Sequence, residues 1–227
     1  DNFDRFALNY RQIHNENIKI SGVDSDYFSE YKIIEIKNRE GNRNIQKILD
    51  LGCGDGNGTK YFRIHFPQAE LYGIDVSEDS IDMAKRKQIP GATFLTYDGT
   101  VLPFEDDMFD LVLIAGVMHH IDKKYHVNIM KEVHRVLNKN GTIYIFEHNP
   151  YNPVTRKIVK DCIFDEDAVL LKPGYTKNLV KEIGFLKVDM RFTIFMPRRG
   201  VFKKLLFLEK HLSWVALGGQ YYVSATK

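Results

Sequence analysis

Between Lys47 and His148, five short apolar runs alternate with stretches of helical spacing, and this alternation leaves few folds open. The runs are Lys47–Leu51, 69–76 ("AELYGIDV"), 92–98 ("ATFLTYD"), 109–117 ("FDLVLIAGV") and 142–148 ("TIYIFEH"). Each is short and rich in the branched and aromatic side chains that suit a pleated surface. Helices are expected between them. One covers Asn57–Phe66 and is stopped by Pro67. A second covers 78–88, capped by Ser77, with Ser80 and Asp82 in its opening turns. A long third runs through "KKYHVNIMKEVHRVLNKNG", with Gly141 just past its end. Strand, helix and strand in this rhythm need crossover connections, which means a parallel, doubly wound α/β sheet with helices on both faces. Further on stand a short helix near 177–183 closed by Gly184, then "FLKVDMRFTIF" and "QYYVSATK", read as β-segments.

Such a sheet binds ligands outside the carboxyl ends of its strands, where the strand order reverses. The first strand ends in "ILDLGCGDGNGT", Ile48 to Thr59, in which Gly52, Gly54, Gly56 and Gly58 remove every second side chain. A dinucleotide fingerprint anchored on Gly52 and Gly54 needs glycine at 57, where Asn57 stands. Anchored on Gly54 and Gly56 it needs glycine at 59, which is Thr59. A P-loop fails too, because no Gly-Lys-Ser/Thr follows. What remains is Asp50, a tight glycine loop, and Asp75 at the end of the second strand. A carboxylate there can accept hydrogen bonds from both hydroxyls of a ribose. The expected ligand is a nucleoside with a zwitterionic tail.

These residues resemble the class I S-adenosylmethionine-dependent methyltransferases, closely over about residues 45–150. "ILDLGCGDGNGT" is similar to their first motif, "LYGIDVSEDSIDMAK" to the second, and "TFLTYDGTVLPFEDDMFDLVLIAGVMHHI" to the third and fourth. Four motifs in order are far more specific than one. The nearest branch is the small-molecule one, methyltransferase type 11, which includes quinone C-methyltransferases and many natural-product and glycan enzymes. The resemblance implies a Rossmann-like seven-stranded sheet whose last strand, Gln220–Thr226, runs antiparallel. It implies S-adenosyl-L-methionine as cofactor, with Asp50 and the backbone of Gly52 and Gly54 at the methionine end. Asp75 is then the ribose ligand, with Val76 against the adenine. Asp98 accepts from the adenine amino group, the Gly99 backbone frames the ring, and the Ala115 carbonyl meets the methionine ammonium. Taken singly, Asp98 reads equally well as the cap of the turn "YDGT". Residues 45–227 are the expected methyltransferase domain. Residues 1–44 are an expected helical cap rich in aromatics, which in relatives closes over the cofactor and here brings Tyr10 toward the acceptor.

The acceptor side is less defined. His119, His120, Glu147 and His148 follow strands four and five, and a base assists transfer to a hydroxyl or amine by about 10²–10⁴-fold. His148 is the first candidate for the base, followed by His120 and His119, with Asn149 as a substrate ligand. Asn152 and Pro153 read as a helix cap and first helical residue. Cys53 has no base beside it and reads as a small filler, and no metal-binding pattern is recognisable. An inserted helical segment near 197–218 carries Val201, Leu205, Leu208, Leu212 and Val215 on one stripe. Its other face mixes Lys203, Lys210 and His211 with Phe207 and Trp214. Two readings of this segment stand: contact with a membrane surface or lipid-linked substrate, and burial on two sides, as in a homodimer.

Composition narrows the classes. A net charge of +2 gives no global case for DNA or RNA binding, and two cysteines without metal spacing point to a reducing, cytoplasmic setting. A small-molecule methyltransferase is therefore expected, O-directed by preference, acting on a sugar, lipid-linked or natural-product acceptor. Quinone-type C-methylation, RNA methylation and non-catalytic cofactor binding are the alternatives.

Overall fold

Strand side chains alternate between two faces, and in this chain both faces are apolar, so both must be covered. The computed structural model describes residues 25–162, 168–196 and 209–227. In chain order its elements are α1 Ser25–Glu40, β1 Lys47–Leu51, α2 Asn57–His65, β2 Glu70–Asp75, α3 Glu78–Arg86, β3 Ala92–Thr96 and β4 Phe109–Ala115. A short 3-10 turn, Met118–His120, precedes α4 Lys123–Val136 and β5 Leu137–His148. Then come α5 Pro153–Lys160, α6 Pro173–Ile183, β6 Leu186–Thr193, α7 Glu209–Leu212 and β7 Gln220–Thr226.

The seven strands form one sheet in the order β3-β2-β1-β4-β5-β7-β6. Strands β1 to β5 are parallel neighbours, and β7 pairs antiparallel with both β5 and β6. The expected antiparallel last strand is therefore present. It lies inside the sheet, and β6 forms the edge.

On one face Leu49, Leu51, Val112, Ile114, Ile143 and Ile145 pack with Met130 and Val133 of α4 and Val180 of α6. On the other, Ile48, Leu71, Leu111, Leu113, Tyr144 and Phe146 pack with Ile33 and Ile36 of α1 and Phe62 of α2. Full burial of one such side chain stabilises by about 1.5–3 kcal/mol. Helix α1 thus lies across the sheet face, pinned by polar ends: Tyr222 Oη donates to Glu35 at 2.8 Å and Tyr144 Oη to Glu40 at 2.7 Å. At its other end Ser29 Oγ accepts from Asn57 Nδ2 at 3.1 Å, tying α1 to the start of α2.

Caps set the helix starts. Ser77 Oγ accepts from the Ser80 amide, and Asp122 Oδ1 accepts from that of Lys124. Asn152 Oδ1 takes the Val154 and Thr155 amides with Pro153 in the first turn, as the sequence predicts. One boundary differs. Helix α4 stops at Val136, because Leu137 is already extended (φ −71, ψ 136) and pairs with Phe109. Gly141 is not that helix's end residue. It lies inside β5, where a Cβ would come within 2.8 Å of the Asn138 carbonyl and 3.0 Å of the Phe109 carbonyl. Helix α6 also begins earlier than expected, with Pro173 in its first turn. Among the described residues no helix is long and apolar enough to cross a membrane. Tyr10 and most of the expected 197–218 helix, including Val201, Lys203, Leu205, Phe207 and Leu208, lie outside the described residues.

Candidate active site

The strand order reverses between β1 and β4, and the crevice at their carboxyl ends gathers most of the expected residues. Three of the four loop glycines are explained by the protein itself. A Cβ on Gly52 (φ +74) would come within 2.3 Å of Val117 Cγ2, beyond the end of β4. On Gly56 (φ +77) it would meet Ala84 and Phe94 at 3.1 Å, and on Gly58 it would meet Asp50 Oδ2 at 3.0 Å. Gly54 is different. Its φ is +52, and among the described residues nothing lies within 4 Å of where a Cβ would stand. None of the described residues fills its bare face, so a ligand can approach this glycine. The Gly52 amide is already spent on the Ile74 carbonyl at 2.8 Å, which leaves only its carbonyl for a ligand.

Asp75 is fixed from both sides. Its Oδ2 accepts from the Gly54 amide at 2.9 Å and its Oδ1 from the Ser77 amide at 3.0 Å. A carboxylate oxygen carries lone pairs for more than one hydrogen bond, as a ribose diol requires. Asp50 is buried, 5% exposed, with Oδ2 accepting from Thr59 Oγ1 at 2.8 Å. Burial, with Asp75 adding to it, pushes its carboxyl up to about 6, against the Thr59 bond and the Lys32 ammonium, which pull it down. Asp98 is exposed and accepts from the Thr100 hydroxyl and the Thr100 and Val101 amides, which hold it below the usual carboxylate range. The turn-capping role is thus realised. Gly99 (φ +81) brings its α-carbon against the exposed Val76, where a Cβ would be 3.3 Å from Cγ1. Ala115 ends β4 opposite Phe146. Cys53 is a buried free thiol whose pKa burial raises well above the ordinary range, in keeping with a filler.

These residues suit one kind of ligand. Asp50 and Asp75 flank the glycine loop while Asp55 is paired with Lys87 at 2.9 Å, and a pyrophosphate beside the two carboxylates would be repelled. A sulfonium or ammonium would be attracted. An open glycine, a fixed diol acceptor and an acidic cradle fit a nucleoside with a cationic amino-acid tail.

The acceptor residues converge as well. The His119 and His120 rings stand 4.2 Å apart, and those of His119 and His148 5.3 Å apart. At their centre is Glu147, which the topology buries at the end of β5. Its Oε2 bonds His119 Nδ1 and its Oε1 accepts from the Met118 amide at 3.0 Å. Burial alone would raise the Glu147 carboxyl, but His119, His148 and the Met118 amide hold it below the usual range. His119 is itself buried, whereas His120 and His148 are partly exposed. Among the described residues no group of three His, Cys, Asp or Glu could hold a metal ion.

The structure gives Asn149 a different task from the expected one. It is fully buried, its Nδ2 donates to the carbonyls of Ala216 and Gly218, and its Oδ1 accepts from the Tyr151 amide. Its side chain clamps the connection into β7, with both amide hydrogens committed to backbone carbonyls. One residue was missed. Lys32, on the inward stripe of α1 with Ser29, Ile33 and Ile36, faces Glu147 and Asp50 across the crevice. Loss of water around its ammonium lowers it to about 8, against the pull of those two carboxylates. A lysine on the buried stripe of a helix was the available signal.

Comparison with known proteins agrees with this geometry. The family model described as "Methyltransferase domain" matches residues 48–141. A fatty-acid O-methyltransferase of Mycolicibacterium smegmatis is 30% identical over 146 residues, covering 63% of this chain and 53% of the relative. A demethylmenaquinone methyltransferase of Thermotoga maritima is 31% identical over 110 residues, 48% of this chain and 46% of the relative. Among solved structures, phosphoethanolamine N-methyltransferase 2 of Haemonchus contortus in complex with S-adenosyl-L-methionine aligns with a TM-score of 0.68 at 17% identity. That alignment covers 99% of this chain and 60% of the other. The chain spans about half the length of the curated relatives it matches. Their names cover a fatty acid, a quinone and a phosphoethanolamine, so the likeness carries the fold and cofactor class, not the acceptor.

Proposed function

We propose, from the premise that residues 48–141 are a class I methyltransferase domain of the S-adenosylmethionine-dependent type, that this chain transfers a methyl group to an oxygen of a small or lipid-linked acceptor. The observation that carries this reading is the gathering of His119, His120 and His148 around buried Glu147, at the carboxyl ends of the strands, where Asp50 and Asp75 also lie. Asp75 holds the ribose hydroxyls, Val76 and Gly99 bracket the adenine, and Asp98 takes its amino group. Asp50, Gly54 and the carbonyls of Gly52 and Ala115 receive the methionine end. Bound there, the cofactor supplies an electrophilic methyl on a sulfonium.

The chain's own part is to position an acceptor and remove its proton. Orientation alone can contribute about 7–11 kcal/mol. His148, partly exposed, is the base that takes the hydroxyl proton. Glu147, which already interacts with His148, offsets the positive charge that then develops on the imidazole. Glu147 also fixes His119, whose Nδ1 donates to the carboxylate, and His119 packs against both partly exposed rings. The similarity to a fatty-acid O-methyltransferase supports an oxygen acceptor on a lipid. Similarity to a quinone enzyme supports a second reading, C-methylation of an activated ring, in which no base is needed. The two free thiols, both buried, suit a reducing, cytoplasmic setting.

Two measurements test the proposal. Calorimetry should give micromolar binding of S-adenosylmethionine and its demethylated product and negligible binding of NAD; tight NAD binding without S-adenosyl binding refutes it. A screen of fatty-acid, hydroxylated-lipid, sugar and quinone acceptors with labelled cofactor should then show transfer to oxygen, and labelling of a quinone carbon alone selects the second reading.

A further inference from the structure

The rim beside His148 exposes apolar side chains in a group. Trp214 is 80% exposed, Leu217 62%, Tyr151 51% and Val154 50%. They come from two stretches that the sheet brings to one edge, because His148 of β5 pairs with Gln220 of β7. Hydrogen bonds then lock the stretches together. Asn149 donates to the Ala216 and Gly218 carbonyls, Asn152 Nδ2 to that of Leu217 at 2.6 Å, and Thr155 Oγ1 to that of Gly219 at 2.9 Å. The backbone under the patch is therefore satisfied, and its exposed side chains are held in place. The Trp214 indole N–H is also occupied, donating to the His211 carbonyl at 3.0 Å, so the ring can enter an apolar phase without stranding a donor.

The same edge is basic. Helix α5 turns Thr155 and Val159 inward and Val154, Arg156, Lys157 and Lys160 outward, with no acid in the helix and Asp161 following it. Cations around an exposed Trp, Tyr and Leu are the signature of a surface that sits at the headgroup level of an anionic bilayer. A partner protein would equally well accept the apolar groups, but the outward cations of α5, with no acid in that helix, favour a uniformly anionic plane.

We propose that this rim, Tyr151, Val154, Trp214 and Leu217 with the cations of α5, docks on an anionic membrane surface and opens the acceptor crevice toward it. The proposal does not depend on which atom is methylated.

Trp214 is the only tryptophan in the chain, so its emission reports on the patch alone. With vesicles of phosphatidylcholine mixed with phosphatidylglycerol, the emission of the full chain should shift to the blue, and added salt should reverse the shift. Vesicles of phosphatidylcholine alone should leave it in place. Leu217→Ser combined with Tyr151→Ser should lower the partition coefficient by about ten-fold or more. Lys157→Glu and Lys160→Glu should each lower it by about five-fold or more. Cofactor affinity should be unchanged in every variant, which separates loss of docking from loss of fold. No shift with anionic vesicles overturns the proposal. So does an equal shift with phosphatidylcholine alone, or a blue shift that grows with protein concentration in the absence of lipid, which would make the rim a contact between copies of the chain.

Discussion

The two halves of the crevice are built by different means. On the β1–β3 side, bonds join residues close in sequence or on adjacent strands: Thr59 to Asp50, Ser77 to Asp75, Thr100 to Asp98 and Gly54 to Asp75. On the β4–β5–β7 side, His119 meets Glu147 across 28 positions and Asn149 meets Gly218 across 69. The first half is written locally and can change its polar groups with little effect on the fold. In the second, the side chains beside the proposed acceptor position also join distant parts of the chain, so changes there bear on stability as well.

Substitutions can break or sharpen that contrast. Glu147→Ala should have the largest effect, because it strands a buried histidine and an amide; unfolding in denaturant should show a loss of about 3–5 kcal/mol. A loss below about 1 kcal/mol would mean the pair is not buried as described. His148→Ala should lower turnover by about 10²-fold while leaving cofactor affinity intact, the general-base scale. His120→Ala will show that profile instead if His120 is the base, and near-normal turnover in both identifies an acceptor that needs no base. Asp75→Ala should weaken cofactor binding by about 1–3 kcal/mol in calorimetry, with the fold retained, since it removes a partly buried hydrogen-bond acceptor.

Asp50 gives the smallest effect and the clearest sign. Its folded pKa of about 6 lies above the ordinary 3.8, so between these values the native state holds more proton than the unfolded chain. Stability should therefore fall as pH rises from about 4 to about 6, and remain lowered above that. Asp50→Asn should remove this slope and stabilise the cofactor-free protein at neutral pH by about 1–2 kcal/mol, less than the shift alone implies because Lys32 loses a partner. The same variant should bind cofactor more weakly. A Tm that is unchanged across this range would show that Asp50 is not strained in the fold.

This division explains what was legible in the sequence. The strand–helix alternation, the Ser77 and Asn152 caps, Asp50, Asp75 and the glycine loop are local patterns, and the structure has them where the sequence puts them. The sequence does not say what fills the space beside each glycine: Gly52, Gly56 and Gly58 make room for Val117, for Ala84 and Phe94, and for Asp50. Those neighbours come from elsewhere in the chain. The clamping role of Asn149 is hidden in the sequence for the same reason, since the carbonyls it binds lie in the connection preceding β7. The end of α4 was misjudged because Leu137 is drawn into a pairing with Phe109 that helix propensity does not report.

The placement of β7 between β5 and β6 has a kinetic consequence. Strand β6 precedes β7 in the chain, yet among the described residues its sheet partner is β7 alone, so it has no strand to pair with until the later one arrives. Closing that loop costs entropy before any ladder bond offsets it, which makes this edge a late and slow event in assembly. Once formed, the two strands should exchange their amide hydrogens as one cooperative unit, because any opening that frees β7 from β5 releases β6 with it. Strand β3, at the opposite edge and held by β2 alone, can fray without disturbing another strand.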